Sequence, residues 1–178
     1  QGHDIGSNGN TVYVVFKTQP EMSGNIYIKK STDGGVTWVD TVRVDVMNGP
    51  YSRFPSIAVT DVGNPAVMFM TFDMSWLSAT YVVSNSIDGG QTFPTPVNAS
   101  GVGGSDVCDC CPGYMTTDGT NQTPVWRRNS NNRRDMWAAV SSNSGTTFPV
   151  GIDVDNTDWL IGSCPSSGPS PHLSGDTL

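Results

Sequence analysis

Apolar residues fall along this chain in short runs, many of them alternating with polar residues, and each run is closed by Gly, Asn, Asp, Ser or Pro. "TVYVVFK" (11–17), "NIYIKKS" (25–31) and "TVRVDV" (41–46) open the pattern. "SIAVT" (56–60), "PAVMFMTF" (65–72) and "TYVVSNS" (80–86) repeat it with a weaker stretch after Phe93, and "PVWRR" (124–128) and "DMWAAVS" (135–141) follow. β-Branched and aromatic residues bounded by turn formers predict strands, since their side chains suit a pleated surface. Composition agrees: 20 Gly, 12 Pro and 14% charged residues in 178 describe many turns, and Glu21 is the one Glu among 16 acidic residues, which argues against long solvated helices.

An octapeptide recurs as "STDGGVTW" (31–38), "SIDGGQTF" (86–93) and "SSNSGTTF" (141–148), at an interval of 55 residues both times. A second register of prolines, Pro55, Pro112 and Pro169, has a spacing of 57. Two landmarks of nearly equal period define a repeat, and each unit holds four short strands. Repeated four-stranded units of this size predict an all-β fold of β-propeller type, built from four-stranded antiparallel blades. The blades are expected at about 4–52, 53–108 and 109–165, and 166–178 is expected as the inner strand of a fourth. Projecting the register back from Asp61 lands on Asp4, so the first inner strand is expected to be represented by its end alone.

In the octapeptide, Ser and Asp can bond backbone amides across a tight turn, Gly supplies positive φ, and the aromatic plugs between sheets. Those positions are Ser31, Asp33, Gly35 and Trp38, then Ser86, Asp88, Gly90 and Phe93, then Ser141, Asn143, Gly145 and Phe148. They resemble the Asp-boxes of the sialidase and BNR-repeat superfamily of propellers, with Asn143 departing from the motif's Asp. The resemblance implies a structural role for these residues. Three blades and a strand do not close a ring, so the expectation is half of a six-bladed propeller. The rest is supplied by the same longer chain or by a second copy closing the ring head to tail.

Turns alternate between the two faces of such a ring, so the face opposite the octapeptides gathers the other loops. There lie Tyr51, Arg53, Asp73 and Trp76, then Asp106 and Asp109, then Arg127, Arg128, Arg133, Arg134 and Trp159. Arg53, Trp76, Arg127, Arg128, Arg133, Arg134 and Trp159 are the candidate substrate-binding residues, because guanidinium forks take carboxylates bidentately. The superfamily resemblance implies an anionic sugar, and Arg53 in "SRFPSI" resembles one of its carboxylate-binding arginines. Glycoside hydrolysis needs paired acids, or a Tyr with an acid partner. Tyr51, Arg53, Asp73 and Asp109 are the nominal catalytic candidates, with Tyr114 and Asp106 behind them; Glu21 stands without a recognisable partner.

"SDVCDCCPGY" places Cys108, Cys110 and Cys111 within four positions, and Cys164 follows one blade later. With "WRRNSNNRRDMW" and "DWLIGSCPSSGP", this stretch is similar to a subgroup of bacterial secreted sialidase-like proteins. The matching residues are Cys108, Cys110, Cys111, Pro112, Arg134, Asp135, Trp159, Cys164 and Pro165. The repeat register puts Cys164 and Cys108 at near-equivalent places on adjacent blades. A disulfide from Cys164 to Cys108 or Cys110 would then pin the blades at the mouth, as suits an exported protein. The alternative is a zinc or copper(I) site of Cys108, Cys110, Cys111 and Cys164, with His172 as a further donor.

The formal net charge of −7 leaves no broad basic patch for nucleic acid, and no apolar run reaches the ~18 residues that would span a bilayer. The resemblance implies an extracellular or surface propeller whose partner is a glycan or glycoprotein.

Overall fold

A computed structural model describes residues 2–46, 51–75, 77–102, 106–174 and 177–178. Twelve strands form three four-stranded antiparallel sheets in simple up-and-down order. Blade 1 holds β1 (His3–Asn8), β2 (Thr11–Lys17), β3 (Ile26–Ser31) and β4 (Val42–Arg43). Blade 2 holds β5 (Tyr51–Val59), β6 (Pro65–Phe72), β7 (Thr80–Asn85) and β8 (Val97–Asn98). Blade 3 holds β9 (Tyr114–Asp118), β10 (Asn121–Arg127), β11 (Met136–Val140) and β12 (Val150–Asp153). The inner strands neighbour one another, β5 lying between β1 and β9. Among the described residues no helix is long and apolar enough to cross a membrane.

The apolar pattern explains how the blades stack. Successive strand residues point to opposite faces, and on β6 Val67 and Phe69 join Tyr13, Val15 and Ile28 in the core between blades 1 and 2. Met68, Met70 and Phe72 of the same strand join Trp126, Ala139 and Phe148 between blades 2 and 3. Every residue of β6 is therefore buried. Each large apolar side chain so enclosed contributes about 1.5–3 kcal/mol.

β5 carries an irregularity that matters for the site. Its pairing with β6 shifts register between Arg53 and Ser56, and Phe54 adopts φ +49°. An extra residue on one strand of an antiparallel pair re-aims the side chains beside it.

Three expectations are corrected. β1 is a six-residue strand paired along its length with β2, because its turn onto β2 is only Gly9–Asn10, shorter than the 60–64 turn, and the constant-period projection overshoots. β5 begins at Tyr51, five residues before the predicted "SIAVT", because the irregularity lets pairing resume on the far side of Pro55. In 166–178 the described residues form no strand, only a bridge between Ser174 and Thr177. That segment packs against blade 3 and the cysteine loop instead: Ser167 O accepts from Arg127 Nε, and Gly168 fits so tightly on the Pro112 carbonyl that a Cβ would collide with it.

Candidate functional site

The octapeptide turns are closed by their own side chains. Ser31 Oγ donates to Asp33 Oδ1 at 2.7 Å and accepts from Gly35 N–H at 2.8 Å. Asp33 then accepts from both the N–H and the hydroxyl of Thr37. Ser86, Asp88, Gly90 and Thr92 repeat this set, as do Ser141, Asn143, Gly145 and Thr147 with an amide in place of the carboxylate. Thr37 and Ser31 hold Asp33 down to about 2, and Thr92 and Ser86 do the same for Asp88. Phe93 and Phe148 are buried between sheets, whereas Trp38 stays partly exposed, its Nε1 donating to Gly35 O. Tyr13 Oη lies between two turns, 3.0 Å from Gly63 O and 3.1 Å from Gly89 O, and its one proton can serve either carbonyl.

Away from these turns, one group of residues joins all three blades. Arg53 Nη2 lies 2.8 Å from Glu21 Oε1 of the β2–β3 loop, and Nη1 is 3.4 Å from the Asp109 carbonyl at the entrance to blade 3. Its guanidinium also stacks 4.8 Å from the Phe54 ring. Glu21 thus has a partner that its sequence neighbours do not show. Lys17, at the end of β2, belongs to the same group: burial lowers its pKa, and Asp45 and Glu21 oppose that shift. It was not foreseen, because a lysine ending an alternating strand looks like any solvated one.

The four cysteines converge at the edge of this group. Cys110 and Cys164 form a disulfide, pinning the loop before β9 to the segment after β12. Cys108 and Cys111 are free and buried. Their Sγ atoms are 2.8 Å apart, and Cys108 Sγ is 3.5 Å from Cys110 Sγ. All four sulfurs lie within 4.8 Å of one another. The Cys110 alternative of the expected staple is the one formed; Cys108 turns inward, its N–H donating to Arg127 O. As metal donors two sulfurs are removed by the disulfide, and exposed His172 does not belong to the cluster.

The arginines divide into two kinds. Arg127 and Arg134, expected on the binding surface, are buried, because each satisfies protein groups rather than solvent. Arg127 donates to Arg134 O and Ser167 O and lies 5.0 Å over the Trp159 ring. Arg134 Nη1 is 2.9 Å from Cys108 Sγ, and its N–H donates to Trp159 O. Asp135 caps the same turn, accepting from Trp159 N–H and the Thr157 hydroxyl. The cysteine, Arg–Asp and tryptophan segments that the sequence groups together are therefore one packed unit.

Arg128 and Arg133 behave differently. With Ser130, Asn131 and Leu160 they line a cavity of about 260 Å³. Arg133 pairs with exposed Asp158 at 3.2 Å, and Arg128 stacks 4.8 Å from Trp137. Arg128 Nε is buried without a hydrogen-bond partner. Trp159, next in sequence to Leu160 of this lining, is 40% exposed.

Among the catalytic candidates, Arg53 meets the Asp109 carbonyl at 3.4 Å. Asp73 caps its own loop, accepting from Ser75 and Leu77 N–H. Asp106, Asp109 and Tyr114 are exposed and Tyr51 is half-buried. Trp76 lies outside the described residues. A cavity of about 430 Å³ opens on the turn face between blades 2 and 3 and is lined by residues such as Asp61, Asn64 and Ser144.

No family model matches the chain, and no curated protein matches it by sequence. Solved structures do. A protein of unknown function from Dyadobacter fermentans matches at a TM-score of 0.65 and 15% identity over 86% of this chain and 55% of that one. An endo-arabinase from Bacteroides thetaiotaomicron matches at 0.56 and 14%, over 85% and 60%. An α-L-arabinofuranosidase from Fusarium graminearum matches at 0.56 and 15%, over 85% and 47%. The chain spans about half the length of these structures. Stacked four-stranded sheets, adjacent inner strands and these likenesses together define three consecutive blades of a β-propeller.

Proposed function

We propose that this chain is part of an exported, sialidase-like propeller whose mouth binds glycans bearing an anionic group. The observation that carries this reading is the pair Arg128 and Arg133, which line an open cavity with Ser130 and Asn131. Two guanidinium groups at one open cavity suit a carboxylate, which they would hold with charge-assisted bonds. Partly exposed Trp159 offers an apolar face for a sugar ring next to that pocket. The disulfide suits an oxidising, extracellular setting. Further blades complete the ring, and the greater length of the similar structures favours the same longer chain as their source.

A second reading, hydrolysis, draws on the glycan-acting enzymes among the similar structures and on the Arg53–Glu21 pair at the three-blade centre. Titration calorimetry with sialylated, uronic-acid and neutral arabinan oligosaccharides, alongside a turnover assay on the same panel, tests both. Binding of the acidic glycans, weakened about tenfold by Arg128→Ala or Arg133→Ala, is expected. Equal affinity for acidic and neutral sugars, or no binding, overturns the anionic reading; turnover establishes the second.

A further inference from the structure

The glycan-binding ledge leaves the sulfur centre without a task. Cys108 stands between two other sulfurs, 2.8 Å from Cys111 Sγ and 3.5 Å from Cys110 Sγ, and the latter is bonded to Cys164. Exposure is graded across the four: Cys108 and Cys111 are fully buried, Cys110 is half-buried and Cys164 is exposed. Arg134, itself buried, has no carboxylate partner among the described residues, and its Nη1 lies 2.9 Å from Cys108 Sγ. A buried guanidinium requires a counter-anion, and the group in contact with it is this sulfur.

We propose that the four cysteines form a thiol–disulfide relay, in which Cys108 passes the disulfide between the exposed Cys110–Cys164 pair and the buried Cys108–Cys111 pair. The Cys108 thiolate attacks Cys110 Sγ, forming the Cys108–Cys110 bond as the Cys110–Cys164 bond breaks, and Cys164 leaves as a thiolate into solvent. Cys111 gives up its proton, which reaches Cys164 through solvent, and attacks Cys108 Sγ; the Cys108–Cys110 bond breaks and Cys110 leaves as a thiolate. One disulfide, one thiol and one thiolate stand on each side, so no external oxidant is consumed. A low-molecular-weight disulfide arriving at Cys164 then reoxidises the outer pair and departs as two thiols.

The electrostatics support the roles. Its hydrogen bond with Cys111, aided by the Cys110 N–H and Arg134, holds Cys108 down to about 6 against burial, and the same bond together with burial pushes Cys111 up. A low-pKa attacking thiol beside a high-pKa resolving thiol is the pairing that exchange chemistry uses.

Pulse alkylation of the native chain with iodoacetamide, read residue by residue by mass spectrometry, tests the relay. In Cys111→Ser, Cys108 can still open the outer bond, so Cys164 is expected to alkylate at least about tenfold faster than in Cys108→Ser/Cys111→Ser. Arg134→Met in the Cys111→Ser background is expected to slow that labelling several-fold with near-ultraviolet circular dichroism unchanged. In the wild type, acid quenching and peptide mapping are expected to recover Cys108–Cys111 as well as Cys110–Cys164. Equal Cys164 labelling in the single and double variants, recovery of Cys110–Cys164 alone, or four thiols with one zinc ion per chain would each overturn the relay.

Discussion

The hydrogen bond between Asn143 and Thr147 runs opposite to the one between Asp88 and Thr92. Asn143 Nδ2 donates to Thr147 Oγ1 at 2.9 Å, whereas Thr92 Oγ1 donates to Asp88 Oδ2 at 2.6 Å. A threonine hydroxyl can serve as donor or acceptor, so the turn survives the exchange of carboxylate for amide.

An acid-stability difference between the blades follows. Asp33 and Asp88 have folded-state values near 2, below the ~3.9 of an unfolded aspartate. Their contribution is complete above about pH 4 and is lost as pH falls through 2, since protonation then favours the unfolded chain. Asp33→Asn and Asp88→Asn should each flatten the acid limb of a thermal-unfolding profile between those values.

Gly145 adopts φ +72°, and a Cβ there would collide with Gln122 Oε1 and Asn85 Nδ2. Those two amides are themselves hydrogen-bonded at 2.7 Å, Gln122 Nε2 donating to Asn85 Oδ1 and joining blades 2 and 3. Gly145→Ala should therefore destabilise by about 1–3 kcal/mol in urea unfolding. Gly9→Ala, at φ +57° with open space around it, should cost less.

Tyr81 is fully buried, and its hydroxyl donates to the Cys111 carbonyl at 2.7 Å. Burial, with Cys111 and Cys108 adding, raises its pKa well above the ordinary value, so the phenol stays a donor at any working pH. Tyr81→Phe should cost about 1–3 kcal/mol, because the carbonyl loses its buried partner. The variant should also raise amide exchange in the cysteine loop.

Arg53 and Glu21 are both partly exposed, so their pair should add little to stability. A double-mutant cycle with Arg53→Met and Glu21→Gln is expected to give a coupling of about 0.2–1 kcal/mol, shrinking with added salt. A larger, salt-insensitive coupling would show that the three-blade junction is drier than its exposure indicates.

The repeat made the blades readable because each octapeptide forms its turn from residues within eight positions. Local hydrogen bonding decides such a feature, and the chain's own neighbours reveal it. The mouth depends instead on residues far apart in the chain. Glu21 meets Arg53 only because adjacent blades bring a loop and an inner strand together, and Arg127 turns inward because the 166–178 segment offers Ser167 where a fourth strand was expected. The sulfur cluster was readable in part: register brought Cys164 to the right blade edge, but not that Cys110 would pair with it while Cys108 lies against Arg134, a residue 26 positions away.

β6 is enclosed on both sides, whereas β2 alternates between buried and half-buried positions. In a library of single substitutions, β2 should accept polar residues at every second site and β6 at none. The tolerance map of this chain would then rise and fall blade by blade, with its deepest minimum at the centre of blade 2, away from every loop that could touch a ligand.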